Sequence, residues 1–223
     1  MDVTINRKRS RASTSSTPDD SRAATPFTDT LKRTKTDNEL DSLNIIHPSE
    51  AWPIDISAIL ASPTIPTVTG SSLQPYDNAA NHTPGKSIYI LCIQGDYELH
   101  YDLLCSHLPT LHLISPTLQA FLLCRDPSTH TPSHTAPFCL PMIQAVSPSH
   151  NHFVKLGLLH PLGGGQYPLD AVVVLDARGR RRLVLPFGWG AGRHVDNVGG
   201  GKGVQDRLMG MLRGCVEELE REM

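Results

Sequence analysis

The chain has 223 residues, of which 39% are hydrophobic and 18 are proline, so part of it is expected to stay outside a packed core. Its formal net charge of -2 and pI near 6.6 exclude a globally basic protein that coats phosphate backbones. No apolar stretch approaches the ~18–20 residues needed to span a bilayer, and no apolar run follows the basic start "MDVTINRKRS". A soluble, intracellular protein is the expectation.

Residues 1–36 are rich in Ser, Thr, Arg and Lys and poor in large apolar side chains, which predicts a disordered basic tail. Two clusters in it, Arg7, Lys8, Arg9 and Arg11, then Lys32, Arg33 and Lys35, have the composition read by nuclear import receptors. A solvated basic tail is the alternative. Ser10, Thr17 and Thr25 are candidate phosphorylation sites, where phosphate would cancel local positive charge.

From Thr36 the charge reverses. Residues 37–60 form an acidic amphipathic docking segment: Thr36 and Glu39 have capping-box spacing, and Trp52, Ile56, Ile59 and Leu60 recur at helical intervals. Stubs this short need a partner surface. They either pack on the chain's own sheet or fold into a groove on another protein, with those four residues as anchors. Residues 61–85 read as a Pro/Ser/Thr-rich linker.

Residues 86–223 are expected to form one domain. "SIYILCI" and the alternating "YELHYDL" around "QGD" predict a hairpin, and Ser115-Pro116 predicts the start of a short helix reaching about Cys124. "FCLPMI" and "HFVKLGLLH" read as further strands. "DAVVVLDARGRRRLVLPF" is a second hairpin, and Val204, Leu208, Met211, Leu212, Cys215 and Leu219 define the apolar face of a closing helix. The fold class expected is α+β, a mainly antiparallel sheet built from hairpins with a C-terminal amphipathic helix, preceded by the disordered tail.

Several chemical motifs fail. The glycine-rich loop 188–203 breaks both the Walker A and the dinucleotide patterns, so it reads as a connector; binding a phosphorylated ligand there, as a small ligand-binding or enzymatic domain, is the alternative function. Cys124, His130, His134 and Cys139 lack zinc-site spacing, and the five cysteines read as reduced thiols. No nucleophile and base can be paired, so no catalytic residue, metal or cofactor is assigned.

The arginines of the second hairpin admit two readings: a solvated tip, or a patch that holds the acidic segment in cis or in a second copy. Arg180, Arg182 and Trp189 are the candidate partner-binding residues of the domain. The function expected is a non-enzymatic regulatory or adaptor protein of the nucleus, also present in the cytoplasm. It would act through a protein partner or as a subunit of a complex, with no direct nucleic-acid ligand and no membrane contact.

Overall fold

A computed structural model describes residues 43–65, 77–95, 98–127, 135–137, 139–159, 165, 167–187 and 201–223. The import clusters, the candidate phosphorylation sites, the capping box at Thr36, the pair His130 and His134, Trp189 and all of the glycine-rich loop before Gly201 lie outside the described residues.

The centre is a seven-stranded sheet in the order β1-β9-β8-β3-β4-β5-β2. Its strands are β1 (Trp52–Pro53), β2 (Thr64–Ile65), β3 (Tyr89–Ile93), β4 (Gln119–Cys124), β5 (Met142–Gln144), β8 (Ala171–Leu175) and β9 (Arg180–Pro186). A small separate pair joins β6 (Val146–Ser147) to β7 (His150–Asn151). The helices are α1 (Ile56–Leu60), α2 (Leu99–Ile114), α3 (His152–Leu156) and α4 (Gly201–Arg221).

The α+β character expected from the sequence is present, but the sheet is mixed rather than mainly antiparallel. β3, β4 and β5 run parallel, with β8, β9, β1 and β2 added antiparallel at the sides. A parallel pair needs a crossover, and α2 supplies it between β3 and β4. This is why "YELHYDL" is helical from Leu99 instead of forming a hairpin arm. The buried residues His100, Tyr101, Leu104, Cys105, Leu108 and Leu111 follow a helical period along α2 despite Pro109.

The predicted helix at "SPTLQAFLLC" is strand β4, flanked on both sides by other strands. Its apolar run is continuous because both faces of the sheet are covered. "HFVKL", read as a strand, is α3 instead. Asn151 Oδ1 accepts the Val154 N–H at 3.2 Å at its start, and Gly157 ends it in the left-handed conformation at φ 70°. The hairpin β8–β9 forms around Asp176–Gly179, and α4 closes the chain.

α2 and α4 cover one face of the sheet, where Ile90, Cys92, Leu122, Val172, Val174, Leu183 and Leu185 meet Leu104, Leu108, Leu212 and Val216. The other face carries Tyr89, Leu91, Phe121, Ile143, Val173 and Leu175 under Ile54, Ile59, Leu60, Phe153 and Leu156. Residues 43–65 therefore belong to the folded body. Leu43 and Ile45 pack on the α2/α4 side, Trp52–Pro53 add an edge strand to β9, α1 lies on the opposite face, and β2 completes the far edge.

Candidate functional site

Three consecutive arginines of β9 hold residues 46–52, and each does so differently. Arg180 Nη1 donates to the Pro48 carbonyl at 3.1 Å while its Nε donates to Asp176 at 2.7 Å. Arg181 lies under the Trp52 indole, its guanidinium carbon 5.2 Å from the ring centroid, and donates to the Leu156 carbonyl. Arg182 Nε donates to the Ile46 carbonyl at 2.5 Å, and the Ile46 N–H returns a bond to the Arg182 carbonyl at 2.7 Å.

The β8–β9 register explains why the triplet splits between the two faces. Val174 is opposite Leu183 and Leu175 is opposite Arg181, so Arg182 is the extra residue of a β-bulge. Its side chain turns to the end of α4 and is fully buried. There it makes a two-pronged pair with Glu222 at 2.5 and 2.8 Å and approaches Asp176 and Glu218 at 3.7 Å. The bond to Arg182 holds the Glu222 carboxyl below its ordinary range. Arg182 thus ties the C-terminal helix, the hairpin turn and the N-terminal segment together from inside.

Arg181 takes the other side and builds a surface. Trp52 is 51% exposed, with one face of its ring toward Arg181. Gly157 sits beneath both: a Cβ there would lie 3.2 Å from Arg181 Nη1 and 3.6 Å from Trp52 Cζ3. Val154, one turn earlier on α3, is 53% exposed. The indole is held in place yet half open to solvent, a combination typical of the Trp and Arg anchors that dominate protein interfaces.

Among the described residues singled out in the sequence, Trp52 alone presents a large apolar surface. Ile59 and Leu60 are buried against the sheet, Ile56 packs partly on the same cluster, and Arg182 is enclosed. Arg180 is half-buried and paired with Asp176. Arg181, Val154 and Gly157 complete the surface. Arg181 belongs to the arginine patch seen in the sequence, but Val154 and Gly157 gave no motif there, because the grouping depends on the pairing of β1 with β9 and on the end of α3.

Two polar clusters contain residue types that serve in catalytic centres. Ser62 Oγ and His152 Nε2 are 2.7 Å apart, the spacing of a nucleophile and its base. The Ser62 hydroxyl, however, donates to the Ala58 carbonyl at 2.9 Å, so the imidazole donates to Ser62 and cannot take its proton. Its Nδ1 has no hydrogen-bond partner to orient the ring. Burial and neighbouring His150 push the His152 imidazole down to about 4.

At the end of β3, fully buried His100 donates to the Ile93 carbonyl at 2.8 Å, stacks on Phe187 and lies 3.9 Å from Asp170. Burial lowers its basicity. Burial also pushes the thiols of Cys124 and Cys215 up to about 12 and that of Cys92 well above its ordinary value. A nucleophilic thiol needs the opposite setting. Among the described residues, no cluster of His, Cys, Asp or Glu has the arrangement of a metal site, and no helix is long and apolar enough to cross a membrane.

The geometry defines an α+β body that presents an anchored tryptophan at a sheet edge. No family model matches the chain. It is 33% identical over 119 residues to the Uba3-binding protein but1 of Schizosaccharomyces pombe, a match covering 45% of this chain and 46% of that protein. The chain thus spans about half the length of this curated relative.

Solved structures that match include peroxiredoxin Q of Xanthomonas campestris, at TM-score 0.44 and 10% identity over 76% of this chain and 97% of the other. The mitochondrial 2-Cys peroxiredoxin of Plasmodium falciparum matches at TM-score 0.42 and 10% identity, over 60% and 90%. The expectation of a non-enzymatic nuclear regulatory or adaptor protein is not upheld; the matching solved structures are peroxiredoxins. Similarity at that level carries no active site over to this chain.

Proposed function

We propose that this chain is a protein-binding domain whose partner is the counterpart of Uba3, and that the partner docks on the surface formed by Trp52, Arg181 and Val154. The observation that carries the reading is the 33% identity to a protein named for binding Uba3. The surface is assigned on physical grounds. A half-exposed indole braced by a guanidinium loses little side-chain entropy on binding, and its neighbours already exclude water from one side.

The test is titration calorimetry of the purified full chain against purified Uba3. Saturable binding that weakens at least about tenfold in Trp52→Ala, with an unchanged circular dichroism spectrum, is the expected result. No binding by the unaltered chain would defeat the choice of partner. Full-strength binding by the variant would defeat the choice of surface.

A further inference from the structure

Of the three consecutive arginines on β9, two meet an acid inside the fold. Arg180 Nη2 lies 2.7 Å from Asp176, and Arg182 pairs with Glu222. Arg181 forms no ion pair among the described residues. It is partly exposed, and its contacts are the carbonyl of Leu156, the last residue of α3, and one face of the Trp52 ring. Its Nε is buried and makes no hydrogen bond.

A guanidinium keeps its charge throughout the physiological pH range and offers several N–H donors, so this one is charged and only partly satisfied. Burial lowers the pKa of Arg181 with no acid nearby to offset the loss, whereas Glu222 and Asp176 raise that of Arg182. The last turn of α3 adds a second cation. Lys155, next to Val154, is exposed and likewise makes no ion pair among the described residues.

We propose that Arg181 is the receptor for a carboxylate of the docking partner, which presents an acidic segment: an Asp or Glu pairs with the guanidinium while an apolar neighbour covers the open part of Trp52. This assignment rests on the docking surface proposed above and holds whichever protein supplies the acid. A planar guanidinium held against an indole meets carboxylate oxygens in a fixed geometry, which a mobile lysine does not offer. The pair stays at the solvent boundary, so it sets selectivity and association rate more than affinity.

The test selects peptides from a displayed random library on the immobilised full chain and, separately, on its Arg181→Gln, Arg181→Lys and Trp52→Ala variants. Peptides enriched on the unaltered chain should carry an Asp or Glu beside a large apolar residue, and Trp52→Ala should lose them. On Arg181→Gln the apolar residue should persist without the acid, and Arg181→Lys should restore part of the preference. A synthetic peptide from the first selection should bind the unaltered chain about twofold to threefold more tightly than the same peptide with its acid replaced by the amide. That comparison needs no variant, and about 0.5 M NaCl should erase the difference.

Enrichment of peptides without an acid, persistence of the acid on Arg181→Gln, or no enrichment at all would overturn the assignment. So would selection that succeeds only after Asp37→Asn, Glu39→Gln and Asp41→Asn, because the chain's own acids would then be the occupant. Failure of Uba3 to bind in calorimetry, with the peptide result intact, would count against that partner alone.

Discussion

The Arg181 guanidinium lies 5.2 Å from the centre of the Trp52 ring, across the pairing of β9 with the edge strand β1. Packing at this contact and recognition beyond it are therefore separable by mutation. Arg181→Ala removes the support from one face of the indole but leaves the tryptophan in the chain. Binding to Uba3 should fall by roughly twofold to fivefold, less than in Trp52→Ala, in line with about 0.5–1 kcal/mol for a cation–π contact at an exposed site. Calorimetry on both variants checks the ranking.

Gly157 is required by backbone and space together. Its φ of 70° is costly for any residue with a Cβ, and that Cβ would meet Arg181 and the Trp52 ring. Gly157→Ala should lower unfolding stability by about 1–2 kcal/mol in a urea titration. It should also weaken partner binding, because the indole must move to make room.

Arg182 is a fully buried cation, so truncating it removes the counter-charge of Glu222 and the bond to the Ile46 carbonyl, and leaves Asp176 to Arg180. Arg182→Ala should cost about 3–5 kcal/mol. The shape of the loss is informative as well. If Arg182 joins the N-terminal segment to α4, limited proteolysis of the variant should cut near residues 43–50 before it cuts within β3 or β8.

Acid should destabilise the fold before the carboxylates titrate. The unfolded chain protonates His152 near 6.5, whereas the folded chain resists until about 4. Below pH 6.5 the unfolded state therefore binds more protons, and stability falls as pH falls. From pH 6.5 to 5 the loss from this residue is at most about 1.5 kcal/mol. His100, lowered by burial, acts in the same direction. Urea midpoints measured across this range should decline, and His152→Gln should flatten the decline.

The elements legible in the sequence are those whose signals are local. The β8–β9 hairpin has matching apolar runs around Asp176–Gly179, and α4 keeps one apolar stripe over its length. Where distant pairing decides the structure, the local pattern misled. Leu99, Tyr101 and Leu103 alternate by coincidence at the start of a helix. The run "AFLLC" is apolar because it lies between β3 and β5, a placement no neighbouring residue announces. The site divided similarly. Trp52 was visible as an anchor and the arginines as a patch, but the bulge that sends Arg182 inward depends on the register with β8.

β1 and β2 lie at opposite ends of the sheet, yet only residues 54–63 separate them in the chain. One short tether therefore shields both rims. A sheet rim left bare offers unpaired N–H and C=O groups to any other extended chain. Displacing β1 or β2 would bare such a rim, turning a self-contained body into a template that another chain can extend.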